Sequence, residues 1–239
     1  MLERIAEEVW AYERDFALPA GMSMPCRSTI LRLPDGRLVV HSPLALDDDT
    51  SKAIDALGDV RFLVAPNCFH WMFLKAAKDR YPKARVFAAP GLARKLGNFE
   101  HEPLPQQGLV PGMDGIRVER IQGAPSFEEH VFLHESSRSL LVSDLMFNLH
   151  DCRSFGMRLV LRLTGTWKKT AQSRAWRFAV KDRAAAARSA VNVLSWDFER
   201  LIVGHGRVLE ADAPEHTRRA LSWMTRNAPP LLGTGSVVA

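Results

Sequence analysis

The sequence predicts an α+β fold, and three observations carry that prediction. Several short apolar runs have strand length, and three of them end on a polar residue: Val60–Ala65 before Pro66-Asn67-Cys68-Phe69-His70, Ser139–Val142 before Ser143-Asp144, and Leu201–Val203 before Gly204-His205-Gly206. Ser28–Leu33 and Leu38–His41 flank Pro34-Asp35-Gly36, a turn signal between two apolar stretches, which reads as a β-hairpin. Thr50–Leu57 carries apolar residues at helical spacing behind Asp47-Asp48-Asp49, whose carboxylates favour a helix N-terminus.

The remaining elements follow in chain order. A helix is expected over Trp71–Tyr81, after the His70 turn, and Arg85–Ala89 reads as a strand running into Pro90-Gly91. Pro103–Gly115 is rich in proline and glycine and reads as a loop. Ile116–Ile121 alternates like a half-buried strand. His130 and His134 lie four apart on a further strand and so share one face. Lys181–Leu194, alanine-rich and punctuated by arginine, reads as a surface helix. His101 and His216 are expected to be exposed, and Cys68 to be a buried, inert thiol.

Composition narrows the classes. The chain has 239 residues, 46% hydrophobic and 25% charged, close to soluble globular averages and long enough to bury a sizeable core. No apolar stretch approaches the roughly 20 residues that span a bilayer. The segment Met1–Glu8 is acidic and lacks the layout of a secretory signal. Cys26, Cys68 and Cys152 are odd in number and widely spaced, which suggests neither a disulfide framework nor a zinc knuckle. A cytoplasmic location and no membrane association are expected. No glycine-rich phosphate loop is present, and neither Ser126 nor Ser143 has a nucleophile-elbow context.

Chemistry concentrates at the three strand ends. Imidazole nitrogen and carboxylate oxygen are the usual ligands of zinc, and imidazole also suits iron. A histidine or aspartate after a buried strand is also a common turn former, so each of His70, Asp144 and His205 alone is a weak signal. Gly204 and Gly206 let the backbone turn tightly around His205.

Together, the order and spacing of these residues resemble the metallo-β-lactamase superfamily, from about residue 5 to about residue 225. The superfamily's His-x-His-x-Asp-His strand end superposes on Ala65-Pro66-Asn67-Cys68-Phe69-His70, its Thr-Gly-Asp on Ser143-Asp144, and its Pro-Gly-His-Gly on Val203-Gly204-His205-Gly206. Its Gly-His turn falls on Gly123-Ala124, without the histidine. The Ala-Pro-Asn-x-x-His segment resembles that of the DUF4336 family in particular. The resemblance implies one domain over residues 1–239, built as a four-layer αββα sandwich of the metallo-β-lactamase type. It also implies that one metal position is erased, at Ala65, Asn67 and Gly123-Ala124. The other keeps His70, Asp144 and His205 and has lost its aspartate to Phe69. At most one zinc, iron or manganese ion is then expected, with Asn67, His70, Asp144 and His205 as the catalytic set. Asn67 would orient water or substrate, and His41 or His150 would be the residue to complete the ligand set from elsewhere.

Residues 150–190 are expected to form a basic helical lid. Between Arg153 and Arg188 lie ten basic residues and a single acid, Asp182, with Trp167, Trp176 and Phe178 interleaved. Such a lid suits an anionic small molecule. Nucleic acid is disfavoured, because the net charge is only +5. The expected function is a divergent metal-dependent hydrolase acting on an anionic ester, thioester, lactone or phosphodiester. The alternative is a metal-free, non-catalytic member of the fold in which the three ligands form a hydrogen-bonded cluster. Oligomeric state is left open.

Overall fold

A computed structural model describes residues 1–226; the stretch 227–239 of the expected domain lies outside the described residues. The chain runs β1 (Glu3–Ala6), β2 (Val9–Leu18), β3 (Met22–Arg32), β4 (Leu38–His41), α1 (Asp48–Asp55), β5 (Val60–Ala65), α2 (Leu74–Arg80), β6 (Arg85–Ala88), α3 (Ala93–Leu96), β7 (Glu102–Pro103), β8 (Gln107–Leu109), β9 (Ile116–Arg120), β10 (His130–His134), β11 (Ser139–Val142), α4 (Phe155–Thr164), α5 (Arg174–Ala179), α6 (Arg183–Leu194), β12 (Arg200–Val203) and α7 (Ala213–Thr225). The first seven strands form one sheet in chain order, and the second sheet has the order β12-β11-β10-β9-β8. Both are mixed: β4 to β7 are parallel to one another, as are β11 and β12, and the other pairings are antiparallel.

The two sheets pack face to face, and helices cover both outer faces, which gives the expected αββα sandwich. Alternation within β5 shows how. Phe62 and Val64 point between the sheets, toward Ile116, Val118, Phe132, Leu141 and Ile202. Leu63 and Ala65 point outward onto Ile54 of α1 and Leu74 and Ala77 of α2. A strand buried on both faces needs no polar side, so it reads as a continuous apolar run. The second sheet does the same with Leu140, Val142, Leu201 and Val203, which meet Trp176 of α5, Ala190 and Val193 of α6 and Leu221 of α7.

Several elements refine the sequence reading. Asp47 caps α1, its carboxylate accepting from Thr50 N at 2.7 Å. α2 begins at Leu74, because Trp71–Phe73 form turns that carry the chain away from His70. Pro103–Gly115 is not wholly loop. It borders the edge strand β7 and contains β8, too short for periodicity to register. α6 is a surface helix with one buried face: Ala186, Ser189, Ala190 and Val193 are buried, while Arg183, Arg188 and Asn192 face outward. Alanine's small side chain lets a helix lie close on a sheet, and composition does not distinguish that from exposure. His101 and His216 are half-buried rather than exposed. The pair β2–β3, the longest in the protein, was not anticipated as a unit.

Candidate metal centre

Parallel pairing sets the position of the centre. β4 and β5 end on the same edge of one sheet, and β11 and β12 end on the same edge of the other. Ser42, the Asn67–His70 turn, Asp144 and His205 follow directly from these ends. The sheets are tied together here. Arg27 N of β3 donates to Gly204 O at 2.8 Å, and His130 N donates to Pro66 O at 2.9 Å. A Cβ at Gly204 would lie tightly against its neighbours, 3.0 Å from Ser143 Cα and 3.3 Å from His70 Cε1, so a side chain there would press on the centre. Gly206 has φ 104°, and a Cβ there would lie 2.2 Å from Asn148 O.

The three sequence-predicted ligands converge. His70 Nε2 lies 3.4 Å from Asp144 Oδ2, and His205 Nε2 lies 3.3 Å from Asp144 Oδ1. The two Nε2 atoms are 3.2 Å apart. Ligands held tetrahedrally at about 2.0–2.1 Å from zinc stand about 3.3 Å from one another, which matches the spacing of the two imidazole nitrogens, and one ligand atom from each of the three residues lies within 4.8 Å of the others. The outer nitrogens are engaged as metal-binding imidazoles require. His205 Nδ1 donates to Pro25 O at 3.0 Å, which leaves Nε2 to face Asp144. His70 Nδ1 meets Ser42 Oγ at 2.5 Å. Phe147 stacks on the His205 ring at 5.1 Å.

The electrostatics follow from burial. Burial pushes the Asp144 carboxyl up, but the His70 charge and the bonds from both imidazoles outweigh it and hold the group well below the carboxylate range. Burial likewise disfavours a charged His205, yet the bond to Asp144, with Cys26 beside Nδ1, raises its pKa. The cluster therefore attracts positive charge, supplied by a proton or by a metal ion.

Asn67 sits beneath Asp144, fully buried. Its Nδ2 donates to Asp144 Oδ2 at 2.7 Å and to Glu129 Oε2 at 2.6 Å, while Oδ1 accepts from Phe69 N and His70 N at 2.8 and 2.9 Å. That uses every hydrogen bond an amide offers. Glu129 was not singled out from the sequence. Its carboxylate accepts from Ser143 N at 2.6 Å and Asp144 N at 3.1 Å, and burial together with the nearby Asp144 charge raises its pKa. Nothing marks it in the sequence except an acid placed directly before a buried strand. Asn67 thus bridges the Glu129 and Asp144 carboxylates, its amide N–H groups lying between the two. Gly123 is closed to a larger residue, because a Cβ there would lie 2.1 Å from Asp182 O.

The centre opens into a cavity of about 420 Å³. Its walls are mainly apolar, with Phe16, Leu18 and Met24 from the β2–β3 hairpin facing Phe69, Trp71 and Met72. Phe69 lines the cavity mouth and remains half-exposed. Exposed Lys95 stands at the rim, 5.8 Å from the Phe69 ring and donating to Cys68 O. Burial and Glu128 raise the Cys68 thiol, as an inert cysteine requires.

Other sequence candidates lie elsewhere. His41 is buried against Phe132 at 5.0 Å, and burial, aided by the His70 charge, lowers its pKa to about 3. His150 bonds Asn148 Oδ1 at 3.0 Å and lines a different cavity. Neither joins the ligand group. Of the lid aromatics, Trp176 is fully buried and Phe178 is 82% exposed. No residue of the basic segment 150–190 lines the apolar cavity, so the segment does not cover the centre as the expected lid would; Arg153, Arg158 and Lys168 line a second cavity.

The family model described as domain of unknown function DUF4336 matches residues 6–154, more than half of the chain. The chain belongs to the DUF4336 family. This DUF4336 chain also resembles solved metallo-β-lactamases across nearly its whole length. The DIM-1 enzyme exposed to ceftazidime is 15% identical, covers 93% of this chain and 96% of its own, and gives a TM-score of 0.61. FIM-1 from Pseudomonas aeruginosa in its mono-zinc form is 13% identical, with 94% and 96% covered and a TM-score of 0.62. A metallo-β-lactamase from Hirschia baltica is 12% identical, with 97% and 99% covered and a TM-score of 0.60. At such identities the likeness establishes the fold: this DUF4336 member is a four-layer sandwich of the metallo-β-lactamase type. No curated protein matches its sequence. Among the described residues no helix is long and apolar enough to cross a membrane.

Proposed function

We propose that the chain is a single-domain, metal-dependent hydrolase of carboxylic esters, thioesters or lactones, using one metal ion held by His70, Asp144 and His205. The observation that carries this reading is the convergence, at the floor of a cavity, of two imidazole nitrogens 3.2 Å apart, each facing a different oxygen of Asp144 at 3.3–3.4 Å. A metal-dependent hydrolase needs three protein ligands and one open position. Zinc, iron and manganese are all candidates, and the mono-zinc form of FIM-1 is a precedent for one ion on this fold. A bound ion supplies Lewis acidity, which polarises a substrate oxygen and lowers the pKa of water.

The chain's own residues do the rest. Pro25 O fixes the tautomer of His205, and Ser42 orients His70. Asn67 acts by holding Asp144 in place rather than by touching substrate, since its polar atoms are all engaged. Phe69 and Met72 line the cavity mouth beside the centre. The cavity walls suit an apolar acyl group, and Lys95 at the rim suits an anionic substituent. Apolar walls favour an acyl substrate over a phosphodiester, whose charge they would desolvate. The three cysteines are unpaired, which supports a reducing, cytoplasmic setting.

A second reading has one specific observation behind it. Asp144 already reaches both imidazoles, so a proton on His205 would satisfy the cluster without an ion and leave a metal-free binding protein. Elemental mass spectrometry of protein purified without chelator separates the two. The hydrolase reading expects close to one metal per chain, lost in His205→Ala. Absence of metal after soaking in zinc, iron and manganese, followed by desalting, would leave the metal-free reading standing.

A further inference from the structure

The basic segment singled out in the sequence is not absorbed by the apolar cavity. Its cations instead converge with others on a separate cavity of about 690 Å³, within the usual size of small-ligand pockets. The two cavities share no lining residue.

Charge accounting around this second cavity leaves an excess. Arg27 is paired with Glu13, Arg207 with Asp151 at 2.5 Å, and Arg14 with Asp47 at 2.7 Å. Arg153, Arg158 and Lys168 have no ion-pair partner among the described residues, and Asp15 is the remaining acid in the lining. Three cations facing one space repel each other unless a counter-anion sits between them.

Two further features show that the cavity is built. Arg27 is only 6% exposed, and it donates to Val203 O at 2.6 Å as well as to Glu13. A buried guanidinium fixed through both of its terminal nitrogens gives the cavity a rigid floor. Lys168 adopts φ 56°, a left-handed conformation that costs a non-glycine residue energy, and its N–H is pinned to Leu149 O at 2.8 Å. That bond fixes the backbone that carries Lys168 at the cavity wall.

We propose that this cavity binds a small molecule carrying two or more phosphate groups. Guanidinium forks from Arg153 and Arg158 suit phosphate oxygens bidentately, and Lys168 adds a point charge. A single carboxylate would leave part of the excess uncompensated, whereas a diphosphate matches it. A concave pocket holds a compact polyanion, while a strand of nucleic acid needs a longer positive track.

The test is titration calorimetry of the full chain with inorganic pyrophosphate in 150 mM salt, about physiological ionic strength. Saturable one-to-one binding is expected. The variant Arg153→Gln/Arg158→Gln/Lys168→Gln should bind at least about tenfold more weakly, with its melting temperature and metal content unchanged. The three side chains are exposed or half-exposed, so the fold is not at stake. As an independent check, Asp15→Asn should bind more tightly than the parent. The proposal is overturned by an absence of saturable binding, by a triple variant that binds as the parent does, or by a single-stranded oligonucleotide that displaces pyrophosphate and binds more tightly. None of these results depends on whether the His70–Asp144–His205 centre holds metal.

Discussion

Replacing Asn67 by alanine would remove four hydrogen bonds at once, two to carboxylates at 2.6 and 2.7 Å and two from backbone amides at 2.8 and 2.9 Å. Hydrogen bonds to charged groups contribute about 1.5–3 kcal/mol each and neutral ones about 1 kcal/mol. The four are coupled, so a total of roughly 5 kcal/mol is expected. That is a large share of the roughly 5–15 kcal/mol by which folded domains are stable. In a chain of this size it corresponds to a melting temperature about 10–20 °C lower. Asn67→Asp sharpens the test, since it keeps the shape but turns a shared donor into a third carboxylate between Glu129 and Asp144. Two attractive contacts become repulsive once the new carboxyl ionises, so relative to the parent this variant should be less stable at pH 8 than at pH 5. Urea unfolding followed by tryptophan fluorescence, with chelator present throughout, measures both. The reasoning fails if Asn67→Ala lies within about 1 kcal/mol of the parent, or if Asn67→Asp matches the parent at pH 8.

Three other outcomes are expected. Each methylene buried in the apolar cavity contributes about 0.8 kcal/mol, so kcat/KM for a series of aryl esters should rise about two- to fourfold per carbon until the cavity is filled. Met72→Asp, at the exposed rim, should flatten the series, and a series already flat in the parent would refute the acyl reading. Trp176 is fully buried and lies 4.9 Å from the Phe127 ring, so Trp176→Ala should cost about 3–5 kcal/mol in denaturant unfolding; a loss below 1 kcal/mol would show that α5 is not anchored there. Burial lowers the His130 imidazole to about 4, whereas the unfolded chain protonates it near 6.5. The unfolded state therefore binds more protons between these values, and this contribution to stability is complete above about pH 6.5 and disappears as pH falls toward 4. His130→Gln should flatten that acid limb by an amount on the order of 3 kcal/mol, and an unchanged slope in urea midpoints between pH 7.5 and 4.5 would count against it.

His70, Asp144 and His205 were legible because each follows an apolar run long enough to be a strand, and because a polar residue just past such a run lands at a sheet edge. Gly204 and Gly206 were legible for the same reason: a tight turn between packed strand ends requires them. Glu129 was invisible, since a glutamate before a strand has no distinguishing pattern until that strand is paired. Asn67 was noticed but read for the wrong contact. Only the fold shows its amide turned inward onto two carboxylates instead of out toward a water.

While β1, β2 and α7 carried no signal that was read, the sequence by itself determined most of the buried strands around the centre, the helices α1, α2 and α6, and the three candidate ligands at strand ends. All of these follow from local periodicity and turn chemistry. Tertiary structure decided which partners those ligands meet. Pro25 fixes His205 from 180 residues away, and Ser42 contacts His70 across 28 residues. Such pairs are set by strand order and sheet packing, which no local window contains. The same holds for the basic segment: its charges are plain in the sequence, but their turning toward a cavity apart from the metal centre is a consequence of how α4 and the following loop pack against the β2–β3 hairpin.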